Sequence, residues 1–241
     1  SPGLGRFVSP DSIIPQPGNP QAWDRYAYTY SNPVNFTDPS GYCRDDDIKC
    51  KERLKLVEQR YGVGINDENQ LWTLDALNAI SLGMATLEKA LGKNRFIAEF
   101  EGVTFTIEAG NGMWTWGFKD IEVGDQVLDN FTYISTETIH ELAHIMDDNC
   151  NDCYSTHMME LTGSKYKGKG IFSFITGKKT YLPSDDPPTK YAGNSHLEDW
   201  AESVTAVLVT DYAEISPWSP TRQSYIKSVF ARNSRKDAMV Q

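Results

Sequence analysis

A run of five residues, His-Glu-Leu-Ala-His at positions 140–144, constrains the fold of this chain more than any other feature. In a helix of about 3.6 residues per turn, positions four apart project from nearly the same face, so the rings of His140 and His144 can reach one metal ion. Glu141 is rotated by about 100° from His140, which suits a group that holds a water molecule beside the ion. The run therefore predicts a helix that carries two metal ligands and a general base.

The neighbouring residues favour a helix at this position. Ser135 and Thr136 are suitable capping residues near its expected start, and the pattern stops at residues 147–149. An ordinary amphipathic helix that carries two histidines by coincidence is the alternative. Small and apolar side chains recur at the spacing of a buried helix, at Thr136, Ile139, Leu142, Ala143 and Met146.

Two histidines do not complete a catalytic zinc site, which typically has three protein ligands and a water molecule. The metzincin pattern would place a glycine at position 147 and a histidine at position 150, but the chain has Asp147 and Cys150 there. That arrangement is therefore excluded. His157 and His196 are further candidates for the third ligand.

A second motif lies downstream, in a helix predicted over residues 196–209. Glu198 and Glu202 are four residues apart and share one face, so one can bind zinc while the other orients a ligand. Residues 191–202, Tyr-Ala-Gly-Asn-Ser-His-Leu-Glu-Asp-Trp-Ala-Glu, resemble the third-ligand helix of the anthrax lethal factor family of metallopeptidases and the related Pro-Pro endopeptidases. The resemblance implies Glu198 as the third zinc ligand, Glu202 as the carboxylate that orients a ligand, and Tyr191 as the tyrosine that stabilises the transition state.

This resemblance also implies the chemistry of a zincin-like metallopeptidase with one catalytic Zn²⁺ ion. A zinc ion lowers the pKa of its water to about 7 and polarises the scissile carbonyl group. Glu141 would take the proton and pass it to the leaving amine. Tyr191 would donate a hydrogen bond to the oxyanion.

Residues 1–42 differ in kind from the rest of the chain, because prolines punctuate short aromatic stretches there. Residues 3–11, Gly-Leu-Gly-Arg-Phe-Val-Ser-Pro-Asp, and residues 32–41, Asn-Pro-Val-Asn-Phe-Thr-Asp-Pro-Ser-Gly, resemble the end of the Rhs/YD-repeat core. In that family the repeats form a β-shell around a variable C-terminal effector. The resemblance implies that the residues after about position 42 are the cargo of such a shell.

Some members of the Rhs family cut themselves just after this motif, with two aspartates that act as an aspartic-protease-like pair. Asp38 matches the second of these aspartates. Asp11 is followed by Ser12 and departs from the first motif. Self-cleavage by Asp11 and Asp38 is therefore a hypothesis, which an uncut full-length chain in mass spectrometry would contradict.

The order of patterns along the chain predicts an α+β fold. We expect a linker at residues 43–51 and a zincin-like domain at residues 52–241, made of helices and a small mixed sheet. Residues 163–188, which are rich in Gly, Lys, Ser and Pro, are expected to form a long loop. The other predicted elements are helices at 54–61, 71–91, 196–209 and 220–232, strands at 103–107 and 118–123, and a turn at 110–117.

The composition of the chain argues against nucleic acid as a partner and against a membrane-spanning segment. A net charge of −10 argues against a general nucleic-acid surface, which is normally basic. The most apolar stretch, residues 204–209, is far too short to span a membrane. The chain begins with Ser and shows no signal peptide, so we expect it to be the C-terminal piece of something longer, and the missing signal peptide does not indicate where that parent protein goes. The Rhs resemblance implies a secreted or cell-surface location as part of a larger exported protein, with delivery into a target cell.

Four cysteines form two close pairs in the sequence, Cys43 with Cys50 and Cys150 with Cys153. An even number of cysteines is compatible with disulfides in an exported protein, and three pairings are open. Alternatively, Cys150, Cys153 and His157 could form part of a structural zinc site, although no fourth ligand is evident.

The sequence predicts a zinc-dependent endopeptidase, released as a toxin effector, that hydrolyses peptide bonds in a target protein. An immunity protein and the parent Rhs shell are the expected partners besides the protein or peptide substrate. One alternative is a surface or adhesion module of an Rhs protein, whose metal site is structural or inactive. Another is a processing peptidase that acts on its own Rhs shell.

Overall fold

The computed structural model describes residues 48–115, 119–168 and 179–237. The chain divides by its internal contacts into Ser1–Tyr42 and Cys43–Gln241. The predictions for the Rhs-like segment, including Asp11 and Asp38, fall outside the described residues.

The described residues combine helices with a small mixed sheet, so the predicted α+β class is confirmed. Seven α-helices occur in these ranges: α1 (Ile48–Tyr61), α2 (Leu74–Leu91), α3 (Lys93–Phe100), α4 (Phe131–Asp148), α5 (Cys153–Thr162), α6 (His196–Leu208) and α7 (Pro220–Asp237). The strands are β1 (Gly64–Asn66), β2 (Thr104–Glu108), β3 (Met113–Thr115), β4 (Asp120–Gly124), β5 (Lys165–Gly168) and β6 (Lys179–Leu182).

The four-stranded sheet has the order β1-β2-β4-β3, which places β3 at one edge. Strand β2 pairs in parallel with both β1 and β4, whereas β3 is antiparallel to β4. Phe105 pairs with Ile121 and Ile107 with Val123, and all four side chains are buried in the core. This alternation of buried and more exposed residues is what the period of a strand requires when one face covers the core.

Helix α2 packs closely against α4, the helix that contains the His-Glu-Leu-Ala-His run. Gly83 makes this approach possible, because a Cβ atom at its position would lie 2.5 Å from the carbonyl oxygen of Ser135 and 2.7 Å from Thr138 Cβ. Apolar residues on either side of Gly83, among them Ile80, Met84 and Leu87, are fully buried. The close packing of α2 against α4 therefore fixes the position of α4 in the core.

Three predicted boundaries differ from the structure. Helix α4 begins at Phe131, one turn before the expected capping residues, because the side chain of Asn130 accepts a hydrogen bond from the N–H of Tyr133 at 3.1 Å. Helix α1 begins at Ile48, inside the range expected to be a linker. The region 110–117, expected to be a turn, contains strand β3.

The prediction of a loop over residues 163–188 was wrong in part. Strands β5 and β6 pair there as an antiparallel two-stranded sheet, in which Tyr166 lies opposite Tyr181. The two rings also pack together, with centroids 5.2 Å apart. Cross-strand aromatic contact of this kind stabilises a strand pair despite its Gly- and Lys-rich composition.

Cys150 and Cys153 form a disulfide between α4 and α5. Both sulfur atoms are used in that bond, so the alternative zinc site with His157 is excluded. Cys50 is also disulfide-bonded, and Cys43 falls outside the described residues. No helix within the described ranges has the length and apolar character needed to cross a bilayer.

We predict that Gly83→Ala destabilises the protein by about 1–3 kcal/mol, because the added methyl group overpacks the contact between α2 and α4. In an open helix the same change would instead stabilise by about 0.5–1 kcal/mol. Urea unfolding measures the difference, with Leu82→Ala, which removes an exposed neighbouring side chain, as a nearly neutral control. A Gly83→Ala protein that is as stable as the wild type would contradict the close packing.

Candidate metal centre

The two histidines of α4 lie one helical turn apart and point at the same place. The Nε2 atoms of His140 and His144 are 3.0 Å apart, and their ring centroids are separated by 4.8 Å. His140 is almost fully buried, whereas the side chain of His144 is 15% exposed. The helix thus carries one potential metal ligand in the protein interior and one that is partly exposed to solvent.

Glu198 completes the group from α6. The side chain of Ser195 caps this helix by accepting a hydrogen bond from the N–H of Glu198 at 3.1 Å, which fixes the backbone of the first turn. Two residues later, the indole N–H of Trp200 donates to the carbonyl oxygen of Ala143 in α4 at 2.9 Å. Since Trp200 is fully buried, this bond holds the two ligand-bearing helices together.

Three side-chain atoms converge on one point. Glu198 Oε2 lies 3.1 Å from His140 Nε2 and 3.4 Å from His144 Nε2. In a tetrahedral site with metal–ligand bonds of about 2.0–2.1 Å, neighbouring ligand atoms are about 3.3 Å apart. The triangle of 3.0, 3.1 and 3.4 Å matches that requirement, so the group of His140, His144 and Glu198 could hold a metal ion.

The electrostatics of this group favour a bound positive charge. Burial alone would lower the pKa of His140, but hydrogen bonds to Glu198 and Glu202 raise it to about 10. Burial would raise the pKa of Glu198, yet its contacts with His140 and His144 lower it to about 2. The carboxylates stabilise the protonated imidazole of His140, and the imidazoles of His140 and His144 stabilise the ionised form of Glu198.

Glu202 contacts the back of the same histidine. Its Oε1 atom lies 3.1 Å from His140 Nδ1, opposite the nitrogen that faces Glu198. Glu202 also accepts hydrogen bonds from the hydroxyl groups of Thr189 and, at 2.8 Å, Tyr212. A carboxylate at this distance stabilises the imidazole ring by its charge and favours one orientation of the ring.

Glu141 lies beside the group but is not part of it. It is 4% exposed, and burial raises its pKa while the charges of His140 and His144 oppose that shift. A hydrogen bond from the backbone of Thr115 also acts on its carboxylate. The edge strand β3, which contains Thr115, therefore lies next to Glu141.

Tyr191 lies near the centre, in a 3-10 helix, Tyr191–Gly193, just before α6. Its ring centroid is 6.2 Å from that of His140, and the residue is 54% exposed. Burial by its surroundings raises the pKa of its hydroxyl, and the neighbouring carboxylates add to the shift. The phenol is therefore neutral near pH 7 and able to donate a hydrogen bond.

The other two histidines do not join the centre. His157 lies in α5, with Nδ1 3.7 Å from Glu160 and its ring against Tyr225. His196 lies at the start of α6, where its Nδ1 is 2.8 Å from the hydroxyl of Tyr166. Neither histidine belongs to the group of potential metal ligands in the described ranges.

A buried ion pair fixes the direction of α6. Arg222, from α7, donates to both carboxylate oxygens of Asp199 at 2.8 and 2.7 Å, and both residues are fully buried. The hydroxyl of Tyr181 in β6 donates to Asp199 at 2.6 Å. Because Asp199 directly follows Glu198, these bonds tie the ligand-bearing turn to α7 and to the strand pair.

The sequence predicted His140, His144 and Glu198 as ligands, and the structure brings these three side chains together, but four residues that hold them in place were missed: Thr189, Trp200, Tyr212 and Arg222. Each of them acts through a contact with a distant part of the chain or with a loop. Trp200 and Arg222 lay within predicted helices, but helical periodicity shows only which face is buried, not which partner it meets. Thr189 and Tyr212 lie outside the predicted helices, and no local pattern marks them.

No family model, curated protein or solved structure matches this chain. What the fold and the centre define is an α+β protein with a two-histidine, one-carboxylate group that could hold a metal ion.

We predict that the wild-type chain binds one divalent ion and that His144→Ala and Glu198→Ala abolish this binding, because each removes one of three ligands. Equilibrium dialysis with Zn²⁺ as the probe ion, followed by metal analysis, measures the stoichiometry. His157→Ala is the matched control, since His157 lies outside the group, and it should bind one ion as the wild type does. Full binding by His144→Ala would contradict the assignment.

Removing one partner of the buried ion pair should be costly. Arg222→Met is expected to destabilise the protein by about 3–5 kcal/mol, because it leaves the Asp199 carboxylate buried without its counter-charge. Lys227→Met, on an exposed position of the same helix, should change stability by less than about 0.5 kcal/mol. Urea unfolding of both variants tests this, and equal stabilities would show that the pair does not fix α6.

Proposed function

We propose that this protein is a zinc-dependent endopeptidase in which His140, His144 and Glu198 hold one Zn²⁺ ion and Glu141 is the general base. The convergence of two imidazole nitrogens and one carboxylate oxygen on a single point carries the proposal. Nitrogen ligands from histidine together with one carboxylate are a donor set that suits zinc.

The number of ligands and their exposure support a catalytic role over a structural one. Structural zinc sites normally have four protein ligands and are closed, whereas catalytic sites have three and leave one position open. The group here has three protein ligands. His144 and Glu198 are 15% and 23% exposed, so solvent reaches the centre. These features favour the endopeptidase over the inactive metal-binding module.

When bound, zinc supplies a Lewis acid that acidifies water and polarises a carbonyl group. Glu141 accepts the proton of the attacking water and delivers it to the leaving nitrogen of the peptide bond. Its burial favours this role, because a carboxylate with a raised pKa is a better base near neutral pH. Tyr191 donates a hydrogen bond to the carbonyl oxygen as negative charge develops there.

The protein would act as an effector that is carried by an Rhs-type shell and released to cleave a protein of a target cell. The resemblance of residues 1–42 to the end of an Rhs core supports this context. A secreted parent protein and an immunity partner follow from the same resemblance. Disulfide bonds at Cys50 and Cys150–Cys153 are compatible with export.

Proteome-wide labelling of new protein N-termini tests the proposed activity. A cell lysate is treated with the zinc-loaded wild type or with zinc-loaded Glu141→Gln. We expect new termini with the wild type only, since the loss of a general base lowers the rate by about 10²–10⁴-fold while the metal stays bound. Glu160→Gln, which removes an exposed carboxylate of α5, should cleave like the wild type.

Two results would contradict the proposal. Normal cleavage by Glu141→Gln would show that Glu141 is not the base. A wild type that binds one zinc ion but releases no new termini in any lysate or peptide library would favour the structural or inactive module instead.

A further inference from the structure

Thr189 joins two parts of the centre through one hydroxyl group. The hydroxyl donates a hydrogen bond to Glu202 Oε2 and accepts one from the backbone N–H of Ala192 at 3.2 Å. A hydroxyl has one proton to donate and two lone pairs, so both bonds can exist at the same time. Thr189 is only 5% exposed, which hinders water from replacing it.

The first bond acts on the metal ligand His140. Glu202 lies 3.1 Å from His140 Nδ1, and it is held at Oε1 by Tyr212 and at Oε2 by Thr189. Glu202 and His140 are each 4% exposed, so little solvent is available to compensate for a lost bond. The orientation of the His140 ring therefore depends on both hydroxyl groups.

The second bond acts on Tyr191. Ala192 is the middle residue of the 3-10 helix Tyr191–Gly193, and its side chain is fully buried. The Tyr191 side chain, by contrast, is 54% exposed, and its ring lies near that of His140, with centroids 6.2 Å apart. The position of the Tyr191 phenol is thus set mainly by its backbone, which Thr189 fixes one residue further on.

We propose that Thr189 is a positioning residue that couples the metal-binding side of the centre to Tyr191. Through Glu202 it orients His140, and through the Ala192 amide it sets where Tyr191 meets the substrate. Tyr212 donates to the same Glu202 carboxylate, and within the described ranges none of its hydrogen bonds reaches the 3-10 helix, so we assign it the first role alone. The part of this proposal that concerns Tyr191 rests on the proposed peptidase function.

Three variants separate the two roles. Thr189→Val keeps the shape of the side chain and removes the hydroxyl, Thr189→Ser keeps the hydroxyl, and Tyr212→Phe removes only the other bond to Glu202. The affinity for Co²⁺ is measured from the visible absorption of the bound ion. It should fall about tenfold or more in Thr189→Val and Tyr212→Phe. Thr189→Ser should remain close to the wild type, and equal affinity in all four proteins would overturn the first role.

Exchange of the Ala192 amide proton, measured by NMR, reports on the second role without any need for catalysis. We expect faster exchange in Thr189→Val, because the amide loses its acceptor, and unchanged exchange in Tyr212→Phe. Equal exchange in Thr189→Val and the wild type would overturn the link to the 3-10 helix. Thr189→Ser should restore the slow exchange.

Kinetics on fully metal-loaded proteins test the coupling itself. Thr189→Val should lower kcat by a larger factor in the wild-type background than in Tyr191→Phe, because in Tyr191→Phe only its effect through Glu202 remains. Tyr212→Phe should change kcat by the same factor in both backgrounds. A Thr189→Val effect that is equally large with and without the Tyr191 hydroxyl would contradict the coupling.

Absence of any cleavage by the wild type would refute the proposed function, while the affinity and exchange measurements would still decide the two contacts.

Discussion

The hydrogen bond between the Trp200 indole and the Ala143 carbonyl is the contact on which the centre depends. His140 and Glu198 are 58 residues apart in sequence, yet their ligand atoms must meet within 3.1 Å. Trp200 lies two residues after Glu198, and Ala143 lies directly before His144. This buried bond therefore fixes the position of α6 along α4 close to Glu198 and His144.

The remaining supports restrict the other movements of α6. Ser195 caps its first turn, and the buried pair of Asp199 and Arg222 ties that turn to α7. On the far side of α4, Gly83 lets α2 approach closely enough to form a rigid base. The ligand atoms thus come from two helices that are each fixed from more than one direction. Such fixation is what holds a ligand set at one geometry when no ion is bound.

Several carboxyl groups are buried around the centre, and their negative charges favour a cation there. Glu202 is 4% exposed, and burial raises the pKa of Glu137, one turn before Glu141, to about 7. Buried carboxylates are tolerated where hydrogen bonds or a positive charge compensate them. Here the compensation comes from the hydroxyl groups of Thr189 and Tyr212, from His140, and from the ion that the proposed function requires.

The sequence predicted the parts of this architecture that are encoded locally. Helical spacing identified α4, and the spacing of Glu198 and Glu202 placed both carboxylates on one face, where the structure has them. The strand pair β5–β6 was missed, because its Gly- and Lys-rich composition resembles a loop and its stability comes from pairing. The start of α4 was placed one turn late, because Asn130 lies outside the apolar pattern that defined the helix.

The groups that hold the ligands could not be predicted, because nothing in their own neighbourhood indicates their partners. Arg222 meets Asp199 across 23 residues, and Trp200 reaches Ala143 across 57. Thr189 and Glu202 are closer in sequence, but the chain must turn between the 3-10 helix and α6 for the hydroxyl to reach the carboxylate. Contacts of this kind depend on how the elements pack together.

Anomalous X-ray diffraction from crystals grown with zinc is the most direct measurement of the central claim. The account predicts one strong anomalous peak per chain at about 2.0–2.2 Å from the Nε2 atoms of His140 and His144 and from a carboxylate oxygen of Glu198. The account would be contradicted by a zinc peak elsewhere in the molecule. It would also be contradicted by a zinc ion that lacks any one of the three ligands His140, His144 and Glu198.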